Sequence, residues 1–335
     1  MIKLLFITDT HGRATSPKAR LDNFPETLLD KLRWVGEYAV ENDIDGVIHG
    51  GDWLESPDVS EAYISEIVKV LKEYPCPIAT VVGNHDIYGY NPDTFRRTPL
   101  GIAEASGVIE RLYSKVPFII EKEGEVAVLT GQDAIHDLDK GTDYYYTDSY
   151  AHDEYHGKPC INIHTVHGML VAKDWPMVNC TVIDDIAHKC NADIILTGHE
   201  HTGYGVVDKV ETIFCNPGSL SRVTAAVGDV RRDVRMAEIS IDGELFDIKL
   251  INLPGEIAKS SNLVIDRDRL VQEKSAKENL NKFIENINRG QVKKGINIFD
   301  AADTLGDELQ IDKMVVEKAK LALSKAEEEL KEGDK

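Results

Sequence analysis

Five short clusters of Asp, Asn and His residues stand out within the first 201 residues, because these side chains bind divalent metal ions. Their carboxylate, amide and imidazole groups suit manganese, iron and zinc. Alternate residues of an extended segment share one face, so both ends of an Asp-x-His or His-x-His segment can point to one place. The clusters are Asp9-Thr10-His11, Gly50-Gly51-Asp52, Gly83-Asn84-His85-Asp86, His167-Gly168 and Gly198-His199-Glu200-His201. Together they predict a site for a pair of divalent ions.

One such cluster by itself carries little weight. A histidine at the end of a strand is more often a hydrogen-bonded surface residue than a metal ligand. Here each cluster directly follows a predicted strand, and five of them in order favour one shared site over chance. The glycines before Asp52, Asn84 and His199 permit the tight turns that bring ligands close together.

The clusters follow apolar segments that alternate between strand and helix spacing. Apolar runs predict strands at residues 3–8, 45–49 and 78–82, and helical spacing predicts helices at residues 26–41 and 59–73. This alternation predicts parallel βαβ units, whose sites lie at the carboxyl ends of the strands. Later strands are predicted at residues 118–121, 126–130, 160–166, 194–197, 212–215, 236–241 and 245–250, with hairpin turns at Glu123-Gly124 and Asp242-Gly243.

The chain changes character at Pro254-Gly255, after which the predicted strands stop. We therefore predict one domain over residues 1–254 and a helical C-terminal region over residues 255–335. Apolar stripes at helical spacing run along residues 269–288 and 312–331. Such stripes must be buried, either against a partner protein, or against the first domain or a second copy of the chain.

The composition limits the classes of function. With 58 acidic against 38 basic residues the net charge is −20, which argues against nucleic-acid binding through a broad basic face. A nuclease is still compatible, because metal ions bring positive charge and a partner can supply a basic surface. Five cysteines without a CxxC pair, no signal peptide and no apolar run of about 18 residues predict a cytoplasmic protein with reduced thiols and no membrane span.

The order Asp-x-His, Gly-Asp, Gly-Asn-His-Asp, His and Gly-His-x-His resembles the signature of the calcineurin-like metallophosphoesterase family, and it spans residues 9–201. The resemblance implies an α/β fold, a four-layer αββα sandwich, here with a C-terminal helical extension. It also implies two divalent ions about 3.5–4 Å apart that share one carboxylate and serve phosphoester hydrolysis. We expect manganese, with iron, zinc or magnesium as alternatives.

The resemblance assigns seven metal ligands, three to each ion and one shared by both. The ligands of the first ion are Asp9, His11 and His201, those of the second are Asn84, His167 and His199, and the shared ligand is Asp52. The segment around His167 leaves an alternative, because His164 in the same predicted strand can also be the ligand. The family places this histidine at the end of the strand, which His167 fits better.

Two further residues receive catalytic roles from the resemblance. His85 is expected to stay off the ions, to contact the scissile phosphate and to donate a proton to the leaving oxygen. Asp86 is expected to orient His85. A nearby histidine, His49, is expected to have a structural role.

The finer resemblance concerns the substrate. Residues 51–57 and the segment Cys215-Asn216-Pro217-Gly218-Ser219-Leu220-Ser221-Arg222 are similar to DNA-repair nuclease subunits, with SbcD-like subunits as the closest group. This implies a DNA exonuclease or endonuclease in repair or recombination that works with an SbcC-like ATPase, or forms a homodimer. The alternatives are a nucleotide or cyclic-nucleotide phosphodiesterase, and a mainly structural subunit that organises an ATPase.

A tyrosine-rich segment carries one more hypothesis. Residues 133–157 are predicted to form a surface loop, which contains Tyr144, Tyr145, Tyr146, Tyr150 and Tyr155. Tyrosine rings in such a loop can stack on unpaired bases, or they can simply pack locally.

Overall fold

The computed structural model describes residues 1–140, 143–146, 158–175, 178–209, 211–223 and 227–266, together with residues 316 and 320. Its first compact unit is Met1–Ile265 and its second is Asp266–Lys335. Residues 255–265, which the sequence assigns to the C-terminal region, therefore lie in the first unit. The helices predicted at residues 269–288 and 312–331 lie outside the described residues, apart from Val316 and Lys320, whose backbone is helical.

Two six-stranded sheets form the middle of the first unit. Their strands are β1 Ile2–Ile7, β2 Gly46–His49, β3 Ile78–Thr80, β4 Glu110–Arg111, β5 Phe118–Lys122, β6 Glu125–Gln132, β7 Cys160–Val166, β10 Ile194–Thr197, β11 Gly205–Asp208, β12 Ile213–Asn216, β13 Arg235–Asp242 and β14 Leu245–Asn252. The first sheet has the order β14-β13-β1-β2-β3-β4, and the second has the order β11-β12-β10-β7-β6-β5. The short strands β8 Leu170–Val171 and β9 Thr181–Val182 pair separately.

Parallel pairing brings the polar clusters to one edge of each sheet. In the first sheet Ile7 pairs with His49, and His49 pairs with Thr80. The three strands therefore end at the same level, and the clusters begin within three residues of these ends. In the second sheet Thr197 pairs with Val166, which aligns the starts of the two histidine clusters in the same way. The predicted βαβ units and both predicted hairpins are confirmed.

Helices cover the outer faces of the sheets. The helices are α1 Phe24–Glu41, α2 Glu61–Leu71, α3 Pro99–Ala105, α4 Ile183–Ile186, α5 Val227–Arg231, α6 Gly255–Ala258 and α7 Ser261–Val264. Strand β1 shows how the layers form, because its side chains alternate between two faces. Leu4 and Phe6 pack between the two sheets, whereas Leu5 and Ile7 pack against α1 and α2. On the outer side of the second sheet, Ile183 of α4 contributes to a third core cluster. The predicted four-layer αββα sandwich is confirmed.

Hydrogen bonds explain why the first unit continues past residue 254. The buried guanidinium of Arg222 donates from Nη1 to the main-chain oxygen of Lys259 at 2.8 Å, just after α6. The main-chain amide of Leu21 donates to Val264 O at 3.0 Å. Val264 and Ile265 are themselves buried. Helices α6 and α7 thus complete this unit.

Two expectations from the sequence concern absences. All five cysteines are described, and each of them is a free thiol. Among the described residues, no helix combines the length and apolar character that a membrane span requires.

Candidate metal centre

Four predicted ligands converge where the carboxyl edges of the two sheets meet. His11 Nε2 lies 3.0 Å from His201 Nε2 and 3.7 Å from Asp52 Oδ2. Asp9 Oδ1 lies 3.6 Å from His201 Nε2 and 3.9 Å from His11 Nε2. Donor atoms that surround one ion tetrahedrally at about 2.1 Å stand about 3.4 Å apart. The observed spacing therefore fits one divalent ion among these donors.

A second group of donors lies on the other side of Asp52. His167 Nε2 lies 3.3 Å from Asp52 Oδ2 and 3.2 Å from Asn84 Oδ1. The ring of His199 meets the ring of His167 edge-on, with 5.1 Å between the centroids. Asp52, His167 and His199 bring one donor atom each within 4.8 Å of one another. This group provides a place for a second ion.

Asp52 belongs to both groups and is only 1% exposed. Its Oδ1 accepts a hydrogen bond from the His85 amide at 2.9 Å. Its Oδ2 has no hydrogen-bond partner among the described residues, although it faces both His11 and His167. A buried carboxylate oxygen needs compensating positive charge, which a cation on each side would supply. The residues thus fit a pair of divalent ions that share Asp52.

The orientation of His167 suits a metal ligand. Its Nδ1 lies 2.7 Å from Gly50 O. A carbonyl oxygen can only accept, so Nδ1 carries a hydrogen, and a ring that has lost the proton on Nε2 presents a lone pair to Asp52 and Asn84. A second hydrogen bond of this kind fixes the tautomer of metal-binding histidines in general.

The charges at the centre are strongly coupled. Burial lowers the pKa of His167, but the Asp52 carboxylate outweighs burial and raises that pKa to about 10. Burial likewise opposes the ionisation of Asp52, yet His167 and His11 hold its pKa well below the usual range. Burial, reinforced by the charge of His167, lowers the pKa of His199 to about 4. Without ions, the centre therefore holds an Asp52–His167 ion pair beside a neutral His199.

Four of the predicted ligands adopt backbone angles that L-residues rarely take. The φ angles are 53° at Asp9, 48° at His11, 54° at Asp52 and 74° at His199. Such conformations cost of order 1–3 kcal/mol each and cluster at functional sites, where surrounding contacts hold them in place. These backbone angles reduce the stability of the fold, and they direct the four side chains toward the metal centre.

Two glycines allow the ligands to approach each other. Gly51 has a φ of 92°, and a Cβ atom there would lie 2.5 Å from His167 Nδ1. A Cβ atom on Gly83 would overlap the Asp52 carboxylate. The sequence-based interpretation of these glycines agrees with the close contacts that they make.

His85 is oriented by a residue other than the one expected. Its Nδ1 lies 2.8 Å from the main-chain oxygen of Glu55, so Nδ1 donates and Nε2 is left for other partners. The predicted orienting residue, Asp86, accepts instead from the amides of Leu54 and Gly83, both at 2.9 Å. The reason is that two main-chain amides engage the Asp86 carboxylate, one from Gly83 in its own turn and one from Leu54 in the turn after Asp52.

Asp86 therefore holds two loops together rather than the His85 ring. Its hydrogen bonds join the turn that carries Asp52 to the turn that carries His85. Burial and the charge of Asp52 raise the pKa of Asp86 to about 7. The carboxylate is thus a structural link in the immediate surroundings of the centre.

The two other histidines of the sequence analysis lie outside the donor groups. His164 is buried, with Nδ1 2.9 Å from Thr130 Oγ1 and Nε2 3.1 Å from Tyr144 O. Burial lowers the pKa of His164 to about 4. His49 stacks on Trp53 at 3.7 Å between ring centroids. Both rings are engaged in packing and hydrogen bonds, and it is His167 that lies beside Asp52.

Sequence reasoning missed the role of Glu55. Its Oε2 lies 3.3 Å from His11 Nδ1, on the side of the ring that faces away from Asp52. Burial opposes the ionisation of Glu55, but the interactions with His11 lower its pKa. The signal that could have found it is an acidic residue three positions after Asp52, in the same turn.

The Pro-Gly-Ser segment also contacts the centre. Ser219 Oγ donates to Asp9 O at 2.7 Å, and the Ser219 amide donates to His201 O at 3.0 Å. One residue thus supports the backbone of two predicted ligands of the first ion.

The tyrosine-rich segment is only partly described. Tyr145 is buried and donates to Asp139 at 3.0 Å, whereas Tyr146 is exposed. Tyr150 and Tyr155 lie outside the described residues. Base stacking by this segment stays a hypothesis.

Comparison with known proteins identifies the family. Residues 2–203 match the calcineurin-like phosphoesterase family. The chain belongs to this family. Members of the calcineurin-like phosphoesterases are metal-dependent hydrolases that bind two divalent ions, and the two donor groups around Asp52 are a possible dimetal site in this phosphoesterase. No curated protein matches the chain in sequence.

Solved structures with a similar fold are distant in sequence. The protein TT1561 of Thermus thermophilus is 12% identical, with 74% of this chain and 98% of that chain covered and a TM-score of 0.44. A dimetal phosphatase from Danio rerio is 10% identical, with 76% and 99% covered and a TM-score of 0.47. Vps29 of Chaetomium thermophilum is 10% identical, with 76% and 97% covered and a TM-score of 0.33.

Proposed function

We propose that this phosphoesterase is a two-metal phosphodiesterase that cleaves DNA. The main observation in favour of a two-metal reaction is that Asp52 belongs to both donor groups. Its unpartnered Oδ2 lies 3.7 Å from His11 Nε2 in one donor group and 3.3 Å from His167 Nε2 in the other. A carboxylate in this position can hold two ions at the spacing that phosphodiester cleavage requires.

Different residues would have different roles in the reaction. When bound, the ions would activate water and neutralise the charge that develops on the phosphoryl group. Asp52 would be a ligand of both ions, with His11 among the ligands of one and His167 among the ligands of the other. His85 would give a proton to the leaving oxygen from Nε2 as an imidazolium, and it would keep the hydrogen on Nδ1 that Glu55 O accepts.

DNA as the substrate rests on the resemblance of two segments to SbcD-like nuclease subunits. Residues 51–57 carry Asp52 and Glu55, and residues 215–222 carry Ser219. Both segments touch the metal centre in this structure, at His11 and at Asp9 respectively. The similarity therefore concerns segments that contact the metal centre, which supports the transfer of substrate class.

The complex in which the nuclease acts is part of the same proposal. We assign residues 266–335 to docking on an SbcC-like ATPase in the cytoplasm, with manganese as the metal. The apolar stripes at residues 269–288 and 312–331 support docking, because they need a surface that buries them. The net charge of −20 argues against a broad basic DNA-binding surface on this chain, and an ATPase partner would supply one.

The test is manganese-dependent digestion of an oligothymidylate, of duplex DNA and of the chromogenic diester bis(p-nitrophenyl) phosphate. We expect all three to be cleaved, and Asp52→Asn to abolish cleavage while the protein stays folded. Asp30→Asn is the matched control, since Asp30 pairs with Arg33 on an exposed part of α1. Cleavage of the chromogenic diester without cleavage of either DNA would reject the nuclease assignment. Full activity of Asp52→Asn would reject the two-metal site.

A further inference from the structure

Arg13 stands at the edge of the metal centre, two residues after the ligand His11. The residue before it, Gly12, is tied to the Asp52 turn through both its amide and its carbonyl group. The Gly12 amide donates to Trp53 O at 2.7 Å, and the Glu55 amide donates to Gly12 O at 3.0 Å. Arg13 is therefore held beside the centre by the same turn that carries the shared carboxylate.

The guanidinium of Arg13 is only loosely engaged. Its side chain is 30% exposed, and its Nη1 lies 3.5 Å from Glu55 Oε1, at the outer limit of a hydrogen bond. Its Nε is buried and has no hydrogen-bond partner among the described residues. A guanidinium carries five N–H donors, so most of its hydrogen-bonding capacity is unused.

Glu55 sets the separation between this cation and the ions. One oxygen of Glu55 lies 3.3 Å from His11 Nδ1, and the other lies 3.5 Å from Arg13 Nη1. His11 presents its opposite nitrogen, Nε2, to Asp52 and His201. An imidazole ring and a carboxylate thus separate the guanidinium from the first donor group. Arg13 is therefore placed to contact a group next to the scissile phosphate rather than the scissile phosphate itself.

We propose that Arg13 binds the phosphate that neighbours the scissile phosphodiester in a nucleic-acid strand. The inference rests on the proposed nuclease function and specifies its substrate as a chain with consecutive phosphates. A guanidinium matches phosphate oxygens with paired hydrogen bonds, and such charge-assisted bonds are the strong ones. Asp9 and Asp52 are buried, whereas the side chains of Arg13 and Glu55 are about one-third exposed, so Arg13 provides positive charge beside the centre for a second phosphate.

The experiment compares two thymidine substrates with manganese. One is the p-nitrophenyl ester of thymidine 5′-phosphate, which has a single phosphate, and the other is an oligothymidylate. We expect Arg13→Gln to raise KM for the oligothymidylate roughly 10- to 100-fold more than KM for the ester, because only the oligomer loses a phosphate contact. Arg13→Lys should recover part of the difference, since it keeps the charge. Arg33→Gln, which removes a charge on α1, should change neither value.

The salt dependence separates a phosphate contact from a structural effect. The slope of log(kcat/KM) against log salt is negative, and the loss of one phosphate contact to a single strand makes it shallower by about 0.7. An unchanged slope, or equal changes of KM for both substrates, would overturn the assignment of Arg13. If the wild type cleaves the ester but neither the oligothymidylate nor duplex DNA, the nuclease proposal is rejected, and the assignment of Arg13 is rejected with it. If the wild type cleaves the ester and the oligothymidylate, and Arg13→Gln changes KM equally for the two, only the assignment of Arg13 is rejected.

Discussion

His85 Nδ1 donates to the main-chain oxygen of Glu55 at 2.8 Å, across a separation of 30 positions in the chain. The same Glu55 places its side chain 3.3 Å from His11 Nδ1. One residue therefore lies close to a proposed metal ligand with its carboxylate and accepts a hydrogen bond from the proposed proton donor with its backbone. A side-chain substitution at Glu55 leaves the carbonyl in place, so the two roles can be examined separately.

The first prediction separates the proton donor from the ligands. His85→Ala should keep both ions, because His85 contributes no atom to the two groups that contain Asp52. Activity on a phosphodiester should fall by about 10²–10⁴-fold, the usual scale for a general acid. Elemental analysis of the purified variant gives the ion content. His85 does share a donor group with His11 and Glu55, so a variant that lacks one ion would make His85 a ligand.

The second prediction uses two histidines of one segment as a matched pair. His167→Asn should lose the second ion, because Nε2 of His167 lies between Asp52 and Asn84. His164→Asn should keep both ions and lower the thermal stability instead. An asparagine there cannot satisfy both Thr130 and Tyr144, and a buried group without a partner costs about 1–3 kcal/mol. Ion loss in His164→Asn and not in His167→Asn would reverse the assignment.

The third prediction concerns protons. His167 has a pKa of about 10 without ions, so it is protonated at neutral pH and must lose that proton to bind a metal. Affinity for manganese should therefore rise with pH up to about 10. His199, with a pKa of about 4, is already neutral and releases no proton. Titration calorimetry in buffers with different heats of ionisation counts the protons released. His167→Asn should release about one proton fewer than the wild type, and an equal number would contradict this explanation.

The fourth prediction concerns the end of the first unit. A chain that ends at residue 265 should keep both ions and its activity on a small diester. A chain that ends at residue 254 should unfold at a lower temperature or precipitate, because Arg222 and Leu21 lose their partners Lys259 and Val264. Both truncations should lose binding to the ATPase if residues 266–335 dock on it, which co-purification measures. Equal melting temperatures would show that α6 and α7 add nothing to the fold.

The longer strands and the polar clusters could be predicted because apolar residues mark each strand. Strand β1 is buried on both faces and reads as an apolar run, and the clusters follow such runs directly, so both could be found. Strands β4, β8 and β9 have only two residues each, which is too short for any pattern to indicate them. Helix α3 has seven residues and escaped notice for the same reason.

Other features depend on contacts that no local spacing indicates. Asp86 was assigned to His85 from adjacency, but its carboxylate bonds to Leu54, 32 positions away. The choice between His164 and His167 depends on which face of β7 each residue takes. Ile161 and Ile163 face the space between the sheets, so His164 faces the outer layer, whereas His167 follows the end of the strand.

Anomalous X-ray diffraction from manganese-loaded crystals tests the central claim most directly, since it locates ions without reference to activity. We predict two peaks about 3.5–4 Å apart with the Asp52 carboxylate between them. The peak nearer His11 should also contact Asp9 and His201. A single peak, or a second peak away from Asp52, would contradict the two-metal site.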